Sequence, residues 1–265
     1  MTIQPALFLL TLALPHPSGP AIAGEPLNLL VFTRTEGFRH ASIEDGVAML
    51  EAIAAEEGAT LVRTEETDLF TPASLASYDV VIWLSTSGDV LDPDEQTAFE
   101  GFIQAGGGWV GIHSAADTEY GWPWYGELLG NGAWFDSHPP IQVATLVLED
   151  PSHPGAGLFG ATTSFEDEWY NFQANPREDV HVIMTLDESS YDPGDGAMGD
   201  DHPAVWAQEY DGGRAFYTVL GHRSQTYSDP RFKEQIRRAV LWAAGVLLFA
   251  DGFDSGDTTS WISSE

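Results

Sequence analysis

Apolar runs alternate with amphipathic segments along the first half of the chain. The runs have the length of strands and fall at residues 27–33, 59–63, 79–84 and 109–112. Nearly continuous hydrophobicity is typical of parallel strands that are buried on both faces. Between the runs, one helix is predicted from Ser42, with Asp45 completing an approximate capping box, and another from Asp92-Pro93. This alternation predicts a doubly wound, mostly parallel α/β sheet arranged as a three-layer sandwich.

After residue 130 the pattern changes to strands joined by turns. The predicted strands are residues 143–148, 165–170, 181–186, 204–210 and 214–220. Asp211-Gly212-Gly213 between the last two is typical of a hairpin turn. A closing helix is predicted over residues 230–244, with apolar side chains at helical spacing. We interpret these elements as additions to the same sheet, which gives one domain over residues 27–245.

The two ends of the chain differ from this domain. Residues 6–14 form an apolar run that is too short to span a bilayer, and prolines and the small residues Ala21 and Ala23 follow it. This predicts a signal peptide over residues 1–23 and a periplasmic or secreted protein. Residues 246–265 form an acidic C-terminal tail. No later stretch is long and apolar enough to predict membrane insertion.

The charge balance narrows the range of partners. The 265 residues include 41 acidic and 10 basic side chains, for a net charge of −31. Such a field repels nucleic acid and anionic membrane surfaces but is compatible with cations and neutral sugars. It is equally typical of adaptation to salt or of high solubility. The sequence leaves a homo-oligomer open.

His113 occupies the most informative position in the chain. It follows the glycine-rich strand at residues 106–112, and the turn resembles the one that carries the nucleophilic cysteine of glutamine amidotransferases. The chain contains no cysteine, so thioester chemistry is excluded. Because the glycines precede a strand and do not open a helix, no nucleotide cofactor is predicted.

Three histidines follow predicted strands, and one glutamate could join them. His40, His113 and His222 each come after a strand, and Glu168 lies in an acidic and aromatic segment. Ligands of open parallel sheets gather at the carboxyl ends of strands, so we expect these four residues to meet in one cleft. Three imidazoles and a carboxylate can bind zinc or a similar divalent metal. They can equally act as general acids and bases without a metal, with Glu168 orienting a histidine.

Further residues are candidates for binding the substrate. Aromatic rings can stack on the apolar face of a sugar, and hydroxyl groups need polar partners. The candidates are Trp122, Trp124, Asp117, Tyr170, Asn171, His138, Asp201 and His202, the last two as part of a lid. The alternative to sugar stacking is that the tryptophans pack in the hydrophobic core. His153 precedes a proline and His181 lies in a strand, so we interpret both as structural.

Eight short motifs together resemble the ThuA-like family. They are residues 37–40 (GFRH), 107–115 (GGWVGIHSA), 122–126 (WPWYG), 137–139 (SHP), 150–154 (DPSHP), 167–171 (DEWYN), 199–203 (GDDHP) and 220–222 (LGH). The resemblance implies the class I glutamine amidotransferase-like fold and a link to sugar catabolism, including disaccharides oxidised to keto-sugars. It therefore implies an enzyme that isomerises, eliminates from or hydrolyses a carbohydrate. The alternative is a sugar-binding protein without turnover on the same scaffold.

Overall fold

The computed structural model describes residues 26–247. The predicted signal peptide, and all but the first two residues of the predicted acidic tail, lie outside this range. Within the described range no helix has the length and hydropathy that a membrane crossing requires.

One half of the main sheet is parallel. It contains β1 (Asn28–Phe32), β2 (Thr60–Thr64), β3 (Val80–Leu84), β4 (Gly108–Ile112) and β11 (Gly213–Thr218), in the order β2-β1-β3-β4-β11. Every residue of β3 and β4 is buried, as continuous apolar runs predict. The carboxyl ends of all five strands therefore lie along one edge.

The other half continues the sheet in antiparallel pairs. The strands are β6 (Gln142–Leu148), β7 (Thr162–Asp167), β9 (His181–Asp187) and β10 (Pro203–Tyr210), in the order β11-β10-β9-β6-β7. Two short strands, β5 (Phe135–Ser137) and β8 (Asn171–Phe172), form a separate ribbon. Successive antiparallel pairings leave β7 running in the same direction as β4, so its carboxyl end joins the same edge. The predicted α/β fold with added strands is confirmed.

Helices cover the sheet. They are α1 (Ile43–Glu57), α2 (Pro72–Leu75), α3 (Pro93–Gln104), α4 (Pro123–Leu129) and α5 (Pro230–Ala243). α1 packs against α5, and α2 packs against α3. α3 begins as predicted, because Asp92 accepts hydrogen bonds from the first turn and Glu95 bonds back to the Asp92 N–H.

One predicted helix cap and one predicted strand boundary were wrong for reasons that bear on the site. Ser42 makes no side-chain cap for α1, since its Oγ donates instead to the Gly221 carbonyl at 3.0 Å. The strand predicted over residues 165–170 is β7, which runs earlier and ends at Asp167. Glu168 consequently lies just beyond a strand end.

Candidate functional site

Four loops at one edge of the sheet converge on a single point. His40 follows β1, His113 follows β4, Glu168 follows β7 and His222 follows β11. One potential ligand atom from each residue lies within 4.8 Å of the others. The predicted four-residue set is thus brought together, and we call it the His–Glu cluster.

His113 is held by one hydrogen bond to its ring and another to its main-chain carbonyl. The residue is fully buried and has a φ of 52°, which is rare outside glycine and typical of functional turns. Its Nδ1 lies 2.8 Å from the Val219 carbonyl, which can only accept, so Nδ1 carries the proton. The Tyr217 hydroxyl donates to the His113 carbonyl at 2.8 Å. Nε2 of His113 therefore presents a lone pair to the cluster.

His40 is a neutral imidazole in the same cluster. Its Nε2 lies 3.2 Å from Nε2 of His113, and its Nδ1 lies 3.3 Å from Oγ of Ser114. Burial, reinforced by the neighbouring His113 and His222, lowers the pKa of His40 to about 2. Above that pH the ring can act as a ligand or a hydrogen-bond partner without carrying charge.

Glu168 is the only acid of the cluster and is shared by three imidazoles. Its Oε2 lies 3.0 Å from Nδ1 of His222 and 3.5 Å from Nε2 of His113, while Oε1 lies 3.1 Å from Nδ1 of His138. Burial opposes ionisation, but the neighbouring imidazoles of His113 and His222 outweigh it and hold the pKa of Glu168 well below its usual range. Glu168 is a carboxylate near neutral pH.

His222 is an imidazole whose protonated form its surroundings favour. Burial disfavours its charged form, but the adjacent Glu168 carboxylate outweighs burial and raises the pKa of His222. Although its Nδ1 lies 3.0 Å from Glu168, the two groups are not aligned, and this buried nitrogen makes no hydrogen bond in the described part of the chain. An orphaned buried nitrogen facing a carboxylate fits a site for a third group between them.

Asp167 anchors the loop that carries His222. Its buried carboxylate accepts hydrogen bonds from the Gly221 N–H at 3.0 Å, the Arg223 N–H at 3.3 Å and the Thr226 hydroxyl at 2.8 Å. It also accepts from the N–H of Glu168 at 3.0 Å. One side chain thereby ties the end of β7 to the loop after β11, and fixes Glu168 and His222 relative to each other.

Two predicted substrate-binding residues lie beside the cluster. His138 contacts Glu168, and its side chain is 41% exposed. The ring of Tyr170 lies 4.4 Å, centroid to centroid, from that of His113 and is buried. Both residues therefore form part of the wall around the His–Glu cluster.

Asp117 and Asn171 are tied to neighbouring loops. Asp117 ends the 3-10 turn that starts at His113, and its Oδ1 accepts from the Tyr120 hydroxyl at 2.6 Å. Burial raises the pKa of Asp117. Asn171 donates to Ser137 and to the Pro193 carbonyl, and its buried Oδ1 has no hydrogen-bond partner in the described residues.

The structure does not bring the two tryptophans to the cluster. The Trp122 indole donates to Glu100 of α3 and stacks on Tyr125. The Trp124 indole donates to Asp211, in the β10–β11 turn at the opposite edge of the sheet. The geometry therefore gives both rings a packing role.

Asp201 and His202 also lie apart from the four ligand atoms. Asp201 pairs with Arg177 at 2.6 Å. His202 is buried, with Nε2 2.8 Å from the Tyr170 carbonyl and Nδ1 2.8 Å from Glu188. Through its contact with the Tyr170 carbonyl, His202 holds the main chain of a residue whose ring forms part of the wall around the His–Glu cluster.

The remaining two histidines of residues 26–247 lie at the opposite edge of the sheet. His181 begins β9 and pairs with Asp150 at 2.7 Å. His153 accepts from the Gly155 N–H at 3.0 Å, and burial lowers its pKa to about 4. Both interactions are structural in character.

The cluster fits a divalent metal as well as proton transfer. Zinc–imidazole bonds are about 2.0–2.1 Å long, so tetrahedral ligand atoms lie roughly 3.3 Å apart. Three pairs in the cluster lie near this separation, at 3.2, 3.5 and 3.0 Å, and all four atoms lie within 4.8 Å of one another. The Val219 carbonyl that fixes His113 is the kind of outer-shell partner that metal-bound histidines have. Neutral His40 and ionised Glu168 are in the protonation states that a metal needs.

Several supporting residues were not predicted from the sequence. Asp167, Ser114 and Phe38 all contact the cluster or its loops. Only Asp167 carried a usable signal, because β7 alternates exposed and buried positions and places this acid at a buried one. A buried acid at the end of a strand indicates local hydrogen bonding.

Comparisons with known proteins identify the family of the chain. The family model of ThuA, described as trehalose utilisation, matches residues 28–243. A ThuA-like protein from Bacteroides uniformis is 26% identical, with a TM-score of 0.71 over 86% of this chain and 95% of that one. A ThuA-like protein from Parabacteroides merdae is 20% identical, with a TM-score of 0.66 over 83% and 90%.

A more distant structure shows how widely the fold occurs. A β-galactosidase from Bacillus circulans is 15% identical, with a TM-score of 0.52 over 83% of this chain and 31% of that one. At this identity the likeness concerns the fold alone. No curated protein matches the chain. Because the family model covers residues 28–243, almost the whole described range, the chain belongs to the ThuA family of trehalose utilisation.

Proposed function

We propose that this protein is an exported enzyme that modifies a carbohydrate at the His–Glu cluster with the assistance of a divalent metal. The substrate is a disaccharide or a keto-sugar derived from it, and the reaction is an isomerisation, an elimination or a hydrolysis. The observation that carries the proposal is the convergence of His40, His113, Glu168 and His222 from four separate loops within 4.8 Å. Such convergence of perturbed, buried titratable groups is typical of active sites.

The family and the charge favour a neutral sugar. The matched family is described by trehalose utilisation. The net charge of −31 disfavours anionic partners, whereas a sugar carries no charge and meets no repulsion. The absence of cysteine excludes the thiol chemistry of amidotransferases.

His40, His113, His222 and Glu168 would hold the metal. When bound, a divalent ion would polarise a carbonyl or hydroxyl oxygen of the sugar. Ser114 and the Val219 carbonyl orient the two innermost rings, and Asp167 fixes the loop of His222. With those four side chains engaged as ligands, His138 is the imidazole left beside them for proton transfer.

Histidine side chains at or beside the cluster can carry out the proton transfer that the reaction requires. Isomerisation or elimination of a keto-sugar begins with removal of a proton from the carbon next to its carbonyl. Half-exposed His138, 3.1 Å from Glu168, can accept that proton and return it to the neighbouring carbon or to the leaving oxygen. In a metal-free site, Nε2 of His113 would be the base and protonated His222 the acid, because Glu168 raises the pKa of His222.

Metal analysis and turnover test the proposal. The purified full chain should contain about one equivalent of zinc or a similar metal, and His113→Ala should reduce it to background. His138→Ala should retain the metal but lower turnover of 3-keto-disaccharides by about 10²–10⁴-fold. His181→Ala, at the other edge of the sheet, is the matched control. Unchanged turnover in His113→Ala would remove the catalytic assignment.

The same assay addresses the alternative of a non-catalytic sugar-binding protein. Sugar binding without product formation, in metal-loaded protein, would favour that alternative. The packing contacts of Trp122 and Trp124 speak against it, since they hold both rings away from the cluster.

A further inference from the structure

We infer that Phe38 and a neighbouring polar cavity form two sugar-ring subsites, with the reacting ring stacked on Phe38 and a second ring in the cavity. The inference rests on the proposed function and identifies which parts of this chain hold the substrate.

Phe38 presents an apolar ring next to the His–Glu cluster. It is 65% exposed, and its ring lies 4.8 Å from that of His40 at an interplanar angle of 82°. His40 itself is buried, so Phe38 lies between it and solvent. An aromatic face at this position suits the apolar C–H face of a pyranose ring.

The loop of Phe38 is held in place, so the ring is presented at a defined position. The Ser87 hydroxyl donates to the Phe38 carbonyl at 2.7 Å, and the Gly37 N–H donates to the Ser87 carbonyl at 3.1 Å. Glu36 makes a third bond, from its N–H to the same carbonyl at 2.8 Å. A binding residue that is already fixed loses little conformational entropy when a ligand binds.

A cavity of 550 Å³ shares these loops. Arg34 of the Phe38 loop and Asp89, two residues after Ser87, both line it. Arg34 follows β1 and Asp89 follows β3, so the cavity opens at the same edge of the sheet as the cluster. Its volume lies within the range of small-molecule sites.

The charges around the cavity select a neutral ligand. Its one cation, Arg34, is already paired with Glu36 at 2.6 Å. Asp89, Asp92 and Glu95 also line the cavity. This lining offers hydrogen bonds to hydroxyl groups and repels phosphate, so an unphosphorylated disaccharide fits better than a sugar phosphate.

Calorimetric titration of the full chain with trehalose, glucose and trehalose 6-phosphate tests the inference. The protein is used as purified, and its metal content is recorded. Trehalose should bind more tightly than glucose or the phosphate. Phe38→Ala should weaken binding of both neutral sugars about tenfold, and Phe38→Trp should restore it. Asp89→Ala should weaken trehalose about tenfold and leave glucose unchanged. Leu158→Ala, another exposed apolar side chain at 57%, is the control.

Each of the other outcomes below contradicts one named part of the inference or of the proposed function. Unchanged binding in Phe38→Ala overturns the stacking subsite, and equal effects of Asp89→Ala on glucose and trehalose overturn the cavity subsite. Tighter binding of the phosphate overturns the charge argument. Wild-type protein that binds no sugar overturns the inference as a whole. Phe38-dependent binding without turnover leaves the inference standing and overturns the proposed enzyme instead.

Discussion

Asp167 shows how a single buried side chain organises the site without belonging to the ligand set. It accepts from three main-chain N–H groups and one hydroxyl, and all four donors lie in the segments that carry Glu168 and His222. A carboxylate is the one side chain of this size that can accept so many bonds. Asp167 is therefore a positioning residue, because the two segments that it holds carry Glu168 and His222 of the His–Glu cluster.

Replacing Asp167 by Asn tests this role. The amide would place an NH₂ group against donors, so we expect a loss of about 2–3 kcal/mol in the free energy of unfolding. Metal affinity should fall roughly 10–100-fold, as for lost outer-shell partners. Urea denaturation and metal titration measure the two effects. Glu166→Gln, at the exposed neighbour that pairs with Arg223, should change neither; full metal affinity in Asp167→Asn would refute the positioning role.

At the scale of elements, the site depends on how strands end. Gly221 lies between β11 and His222 with a φ of 128°, and a Cβ there would approach the Tyr227 hydroxyl to 2.7 Å. The Gly221 carbonyl also accepts from Ser42 at the start of α1. The turn after β11 therefore joins three segments closely, and only glycine fits it.

Gly221→Ala should accordingly disturb both stability and the site. We expect a loss of about 1–3 kcal/mol in the free energy of unfolding, from backbone strain and the contact with Tyr227. Thermal or urea unfolding measures it, together with metal content. Gly194→Ala is the matched control, since Gly194 also has a positive φ, of 73°, but a Cβ there meets no atom within 4 Å. Equal losses in the two variants would count against the close-packing argument.

Element boundaries also show what the sequence can and cannot predict. The apolar runs predicted the parallel strands, because burial on both faces leaves a continuous hydrophobic signal. Ser42 resembled a helix cap, but a long-range bond to Gly221 claims its hydroxyl. The end of β7 was equally unpredictable, because it depends on donors more than fifty residues away that bind Asp167.

For the molecule as a whole, burial of neutral histidines sets its response to acid. Burial lowers the pKa of His153 to about 4, whereas the unfolded chain has the ordinary value of 6.5. As pH falls below 6.5, the unfolded state binds a proton that the folded state excludes. The contribution of His153 to stability is therefore fully present above pH 6.5 and is lost as the pH falls from 6.5 to about 4.

A His153→Asn variant isolates this contribution. Asn can still accept from the Gly155 N–H but does not titrate. The wild-type free energy of unfolding should fall, relative to the variant, by at most about 1.4 kcal/mol per pH unit between pH 6.5 and 4. Urea midpoints across this range provide the measurement. Parallel profiles for the two proteins would show that His153 is not the group responsible.

The site was predictable at the scale of topology and less so at the scale of contacts. His40, His113 and His222 follow predicted strands whose ends share an edge, and this is readable from the order of runs and loops. Glu168 fell inside a predicted strand, and only the end of β7 at Asp167 places it in a loop at that edge. The tryptophans were ambiguous, because an indole packs a core and stacks on a sugar equally well. Only the partners of Trp122 and Trp124 decide between these roles.

The spread of the ligand loops from residue 40 to residue 222 has a consequence for how the protein matures. The loops after β1, β4, β7 and β11 each carry one residue of the proposed metal site, so a chain that stops before residue 222 lacks part of the set. Metal binding would then follow folding of the whole domain, and the bound metal would stabilise the folded state by mass action. The number of metal ions bound per chain would thus measure the fraction of correctly folded protein in a preparation.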